Sequence, residues 1–235
     1  MKKGRLYLIP SVIAEGDTSS IPEQVRKIIP RLEYYLVENV RTARRYISSL
    51  RSGVDIGSLQ FEELNKNTRA DEIEKLMAPL LAGKDMGVMS EAGCPGIADP
   101  GSRAVDYAHR KGIKVIPLVG PSSIMLALMA SGFNGQRFCF HGYLPIDKDK
   151  LSPAIKNLEK NSARYNQTEI FIETPYRNNT MLTNLLKFCH DNTRLCIARD
   201  ITGEYELIQT NTIKRWKEIT IDLHKKPTVF LLFSA

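Results

Sequence analysis

Ser90-Glu91-Ala92-Gly93-Cys94-Pro95-Gly96-Ile97-Ala98-Asp99-Pro100-Gly101 is the densest stretch of information in this 235-residue chain. The four residues before it, Met86–Met89, are apolar and free of breakers, and read as a buried strand. Residues 102–111 after it follow a helical period, with Gly112 as the stop. A glycine- and proline-rich loop between a strand and a helix is where open α/β sheets bind ligands, because the strand ends leave a crevice there. Gly93, Gly96 and Gly101 allow a close backbone approach, while Pro95 and Pro100 keep the loop stiff. The spacing matches neither Gly-x-Gly-x-x-Gly nor a phosphate loop ending in Gly-Lys-Ser/Thr, which disfavours nicotinamide and nucleoside-triphosphate enzymes. On composition alone a structural turn fits as well as a binding loop.

Outward from this loop, apolar runs alternate with helical segments. Upstream, residues 6–10 read as a first strand, Leu36-Val37 close a second, 40–50 form a basic amphipathic helix, and 70–81 form a helix ending at Gly83. Downstream, 113–118 is a strand, and Gly120-Pro121-Ser122-Ser123 opens a helix that runs to Ser131-Gly132. A strand near 138–140, a helix over 153–163, a strand over 169–173, a helix over 178–190 and a strand over 195–199 follow. The last hundred residues look more antiparallel, with strands over 205–210 and Thr228–Phe233. This is α/β alternation in two halves, 1–118 and 119–235.

Lys and Arg exceed Asp and Glu by seven, 33 against 26. Residues 1–51 hold ten of the basic residues and five of the acidic ones, so most of the excess sits in the first quarter. Arg41, Arg44 and Arg45 on the helix over 40–50 are its centre, either as a solvated face or as a phosphate-contacting patch. No apolar run approaches the roughly 20 residues a membrane span needs. Cys94, Cys139, Cys189 and Cys196 form no Cys-x-x-Cys pair and the four His are scattered, so neither a zinc site nor a disulfide framework is expected. Free thiols fit a reducing cytoplasm.

Several segments in register resemble the tetrapyrrole methylase family, in its ribosomal RNA small-subunit methyltransferase I-like group. SEAGCPGIADPG at 90–101 is similar to Ser-Asp-Ala-Gly-x-Pro-x-Ile-Ser-Asp-Pro-Gly, and GPSS at 120–123 to Pro-Gly-Pro-Ser/Cys with its preceding strand. FCFHGYLP at 138–145, ETPYR at 173–177 and ARDIT at 198–202 are similar to Phe-x-Phe-x-Gly-Phe-Leu-Pro, Glu-Ser-Pro-His-Arg and Ala-Arg-Glu-Leu-Thr. Upstream, 38–44 keeps the Glu and both Arg of Glu-Asp-Thr-Arg-x-Thr-Arg, and the resemblance covers about residues 5–233.

The resemblance implies two α/β domains with S-adenosylmethionine in the cleft between them, in a homodimer that needs no metal. It assigns cofactor contacts to Pro10, to Glu91, Ala92, Gly93, Cys94, Pro95, Gly96 and Ile97, and to Ser122 and Ser123. In the second half it assigns them to Phe140, Gly142, Tyr143, Glu173, Thr174, Ala198, Pro227 and Thr228. The implied reaction is methylation of a ribose 2′-hydroxyl of small-subunit ribosomal RNA. Candidate bases are Glu38, Asp99, Glu173 and Asp200, each also readable as a satisfied structural carboxylate. Arg41, Arg44, Arg45, Arg177 and Arg199 would hold RNA phosphates, or pair internally with Glu38 or Asp200. Phe138, Phe140 and Tyr143 are placed to stack a base or to sit in the core.

The chain also departs from the group. Ile9-Pro10-Ser11-Val12-Ile13-Ala14-Glu15-Gly16-Asp17 stands where Ala-Thr-Pro-Ile-Gly-Asn-Leu is usual. Asn39 replaces an Asp, Glu91 an Asp and Tyr176 a His, and the sequence stops at Ala235 without the extra C-terminal segment many such enzymes carry. The cofactor-side motifs survive better than the substrate-side ones. A small-molecule methyltransferase acting on a tetrapyrrole-like ring, and a non-catalytic RNA- or nucleotide-binding relative, are the alternatives.

Overall fold

The computed structural model describes residues 2–234; Met1, Ala235 and the side chain of Ala70 lie outside that description. The chain divides into two compact units, Met1–Ser122 and Ser123–Ala235. The division falls beyond Leu118 because that residue still belongs to the first unit. Its amide donates to the Leu8 carbonyl at 3.0 Å and its side chain is buried in the first unit's core.

The first unit is a five-stranded sheet in the order β3-β2-β4-β1-β5. Its strands are β1 (Arg5–Leu8), β2 (Tyr34–Val37), β3 (Gln60–Glu63), β4 (Met86–Met89) and β5 (Lys114–Pro117), all parallel. Parallel strands are covered on both faces, and alternate side chains of each strand feed opposite cores. Tyr7, Tyr35 and Val37 pack with α1 (Glu23–Ile28) and α2 (Val40–Ser49) on one face. Leu6, Leu36, Met86 and Val88 pack on the other with α3 (Ala70–Leu76), α4 (Ala78–Leu81) and α5 (Gly101–Arg110).

The second unit holds a mixed sheet in the order β6-β7-β10-β8-β9. Here β6 (Phe138–Tyr143) is parallel to β7 (Thr168–Ile172), while β8 (Arg194–Arg199), β9 (Leu207–Thr212) and β10 (Thr228–Phe233) pair antiparallel. Its core sets Phe171, Phe230 and Ile197 against Leu151, Ile155 and Leu158 of α7 (Lys148–Tyr165) and Met181 and Leu185 of α8 (Asn178–Phe188). Helix α6 (Ser123–Ser131) packs against β9 and β10, and the short α9 (Ile213–Trp216) buries Trp216, whose indole N–H donates to the Leu195 carbonyl at 2.8 Å.

Several elements differ from the sequence expectation. The helix expected over 70–81 breaks at Met77, because Pro79 lacks an amide hydrogen and crowds the preceding turn. The helix expected from 153 begins at Lys148, where the Asp147 side chain caps it by accepting from the Asp149 amide at 2.9 Å. Pro153 is carried inside that helix. Strand β9 runs two residues later than expected, with Tyr205 in the turn before it.

Gly87, in the middle of β4, has no room for a side chain. A Cβ there would lie 2.6 Å from the Ile9 side chain and 3.0 Å from the Tyr35 ring. Gly87→Ala therefore lowers stability by about 1–3 kcal/mol through overpacking, read as a drop in the urea midpoint at unchanged slope.

Candidate active site

The connections of the first sheet change direction at β1. From β1 the chain moves outward to β2 and β3; from β3 it returns to β4 and continues past β1 to β5. The two halves of this winding place their helices on opposite faces, so the carboxyl ends of adjacent β1 and β4 open into a crevice, where α/β sheets bind ligands. The Ser11 amide donates to the Gly93 carbonyl at 2.9 Å and the Gly93 amide to the Val12 carbonyl at 3.3 Å. The Ser11 hydroxyl donates to the Ser90 carbonyl at 3.0 Å. These bonds fasten the loop after β4 to the segment after β1.

The turn after β5 joins the same cluster. The Cys94 thiol donates to the Pro121 carbonyl at 3.3 Å, and burial, then Asp99, pushes that thiol's pKa up, so it stays a neutral donor. A Cβ on Gly120 would lie 2.2 Å from the Pro10 ring, so only glycine permits this approach. Pro10, the loop from Glu91 to Ile97 and Ser122 therefore come together at one end of one sheet. Gly93 and Gly96 hold left-handed backbone at φ 71° and 88°, where any other residue is strained. Gly93 and Pro95 are buried, whereas Glu91, Ala92 and Ile97 face outward.

Three carboxylates meet here, and their partners separate their roles. Asp99 accepts from the Gly96 amide at 2.8 Å and the Gly101 amide at 2.6 Å, so it holds the loop's shape and starts α5. Glu91 accepts from the Thr42 hydroxyl at 3.4 Å. Glu38, just beyond β2, accepts one backbone bond, from the Glu91 amide at 3.2 Å. Desolvation raises the Glu38 pKa above its ordinary value, the Glu91 amide pulls it down, and the charges of Glu91 and Asp99 push it up further, for a net rise. A carboxyl raised above its ordinary value in a strand-end crevice is a better proton acceptor than an ordinary glutamate.

Helix α2 forms the other wall. Asn39 caps it, its side-chain oxygen accepting from the Thr42 amide at 3.1 Å, so the residue that replaces an acid does the structural work of a cap. Tyr46 anchors the helix by donating to the Pro10 carbonyl at 2.7 Å. A cavity of about 380 Å³ opens between α2 and the loop over 11–18, lined by Ser11, Val12, Thr42, Tyr46, Ser90 and Glu91 among others. The cavity and the Asn39 cap were not expected from sequence; an Asn directly before the helical run over 40–50 was the available signal for the cap. Arg45 pairs with Glu15 across the cavity mouth, Arg44 lies over the Phe61 ring at 5.3 Å, and Arg41 is exposed. Among the described residues, none of the three forms an ion pair with Glu38.

In the second unit the assigned residues gather at one end of its sheet. Glu173 and Thr174 follow β7, Thr228 opens β10 opposite Arg199, and Ala198 pairs with Val229. Phe140 lies within β6 and Gly142 and Tyr143 at its end, Tyr143 being exposed. The two candidate bases here are occupied. Glu173 accepts from the Thr174 amide at 2.6 Å and from Arg177 at 2.5 Å. Asp200 sits at φ 53° in a turn, accepts from the Tyr205 amide at 3.1 Å and lies 3.5 Å from Lys226. Arg199 is spent on the carbonyls of Tyr205 and Asp222, each at 3.1 Å, rather than on Asp200.

The sequence model of the tetrapyrrole (corrin/porphyrin) methylases matches residues 12–216. The chain belongs to that family. Among its relatives, the ribosomal RNA small subunit methyltransferase I of Buchnera aphidicola (subsp. Schizaphis graminum) is 30% identical, with all of this chain and 79% of the relative aligned. The enzyme of that name from Thermotoga maritima is 31% identical over 85% of this chain and 84% of its own. In fold, the crystal structure of the methyltransferase CobJ is similar at a TM-score of 0.66 and 18% identity, over 99% of this chain and 95% of that one. The uroporphyrin-III-C-methyltransferase of Thermus thermophilus is similar at 0.58 and 14%, over 98% and 92%.

A tetrapyrrole methylase is a methyltransferase, and its methyl donor is S-adenosylmethionine. The crevice fits such a donor: two left-handed glycines bring backbone close, and clustered carboxylates complement a cationic ligand.

Because the Glu38 pKa is raised, its proton is taken up at a higher pH than by an ordinary glutamate. With Glu38 as base, kcat/KM falls on the acid side with a midpoint above that of an ordinary glutamate. Glu38→Gln removes that limb and lowers kcat by about 10²–10⁴-fold; the pH–rate profiles of both proteins check this.

Proposed function

We propose that this chain methylates a ribose 2′-hydroxyl of small-subunit ribosomal RNA. The reading is carried by the 380 Å³ cavity between α2 and the loop over 11–18, which reaches Glu91, the residue whose amide holds Glu38. A cavity of this volume suits one nucleoside, since ligand pockets run from about 300 to 1,000 Å³. The names of the relatives, which specify ribosomal RNA, support the substrate class.

S-adenosylmethionine, when bound, supplies an electrophilic methyl on a sulfonium. The protein's part is positional and acid–base. In the first unit, Glu91 to Ile97, with Pro10 and Ser122, hold the donor. Glu38 takes the hydroxyl proton as the oxygen becomes a nucleophile. Asp99, Glu173 and Asp200, tied to backbone amides and to cations, act as structural carboxylates. Arg41, Arg44 and Arg45, exposed along α2 beside the cavity, meet RNA phosphates.

The chain acts as a homodimer. Helix α6 is apolar on every side, and Met129 remains 78% exposed on it. No helix among the described residues is long and apolar enough to cross a membrane. A cytoplasmic setting agrees with the ribosomal substrate and with four cysteines that carry no disulfide.

Tritiated-methyl transfer from S-adenosylmethionine to small ribosomal subunits lacking the modification labels the RNA, at an alkali-resistant 2′-O-methyl linkage. Donor binding by calorimetry with no label in any RNA overturns the reading. The double variant Arg41→Ala/Arg44→Ala weakens RNA binding and lowers the slope of log K against log salt by about one to two. An unchanged slope removes α2 from the RNA interface.

A further inference from the structure

The second unit holds a cluster of side chains that methyl transfer does not use. On edge strand β6, Cys139 and His141 are two residues apart, so their side chains leave the same face. Cys139 is the register partner of Glu169 on β7. The Cys sulfur, an imidazole nitrogen and a carboxylate oxygen lie within 4.8 Å of one another. Glu169 is fully buried, and its one ion-pair partner among the described residues is His141, through Nε2. Its other oxygen accepts from the Gln167 amide group at 2.7 Å, which fixes how the carboxylate is turned. Directly after His141 the strand carries one extra residue, since Phe140 pairs with Ile170 but Tyr143 with Ile172, and Gly142 turns the chain at φ 65°. Cys139 and His141 are half-buried, leaving an approach from solvent.

We propose that Cys139, His141 and Glu169 bind a zinc-class divalent cation, with Gln167 orienting the carboxylate. Sulfur, imidazole and carboxylate together are the ligand set of Zn²⁺ rather than of Mg²⁺ or Ca²⁺, which take oxygen. Modest closing of the cluster reaches the usual distances of about 2.0–2.3 Å, and three protein ligands leave a fourth position to water. On binding, the thiol proton goes to solvent and the cation replaces imidazole as the partner of the buried carboxylate. The cation then pins the β6 bulge from one face of the sheet. The inference is independent of the methyl-transfer reading.

The test uses the whole protein, stripped with a chelator and titrated with Zn²⁺ and, as a spectroscopic probe, Co²⁺. One equivalent of Zn²⁺ binds, Co²⁺ gives a near-ultraviolet thiolate-to-metal band, and Zn²⁺ raises the melting temperature. Cys139→Ser abolishes the band, and His141→Ala weakens Zn²⁺ at least about tenfold, both with unchanged far-ultraviolet circular dichroism. A wild-type protein without the band, or a band that survives in Cys139→Ser and so arises from another cysteine, overturns the proposal. If Cys139→Ser does not fold, Glu169→Gln and His141→Ala carry the same comparison, and Zn²⁺ affinity unchanged in both is the contrary result.

Discussion

The backbone of Ser11 pairs with that of Gly93, and the geometry of the first unit's site depends on that pairing. It joins the segment leaving β1 to the loop leaving β4, two strands adjacent in the sheet but far apart in sequence. A parallel sheet whose connections run both ways from one strand has to leave a crevice at that strand's carboxyl end. It is closed by backbone bonds, from the Ser11 amide to the Gly93 carbonyl and from the Gly93 amide to the Val12 carbonyl. Gly120 against Pro10 adds the third strand end at a distance no larger residue allows.

With the loop ends fixed in this way, carboxylates that look alike in sequence separate by environment. Asp99 accepts from two amides of its own loop, those of Gly96 and Gly101, and holds its shape. Glu173 is matched by Arg177, and Asp200 by a turn amide and Lys226. Glu38 has one backbone donor, and desolvation, joined by the charges of Glu91 and Asp99, raises its pKa. Burial disfavours the charged form of a carboxyl and so makes it a stronger proton acceptor.

Much of the fold was legible in the sequence because the buried strands announce themselves. Met86–Met89 and, after its first residue, Thr228–Phe233 are apolar, and both fall where expected. The strand Gln60–Glu63 carries two glutamates at an exposed sheet edge, so no apolar pattern marks it. The loop over 90–101 was legible as a glycine- and proline-rich connection between a strand and a helix. What sequence could not show is pairing across the chain. Asn39 looked like a lost acid and is a helix cap, and Arg199 was set against Asp200 but is taken by two carbonyls. Cys139, His141 and Glu169 looked scattered because strand register, not spacing along the chain, brings them together.

The direct test of the crevice is amide hydrogen exchange with and without S-adenosylmethionine. Slowed exchange in peptides covering residues 11–13 and 90–101 is the expected result, since their amides line the junction of β1 and β4. Saturated donor binding with exchange unchanged in both segments would place the donor elsewhere and contradict the assignment of the active site.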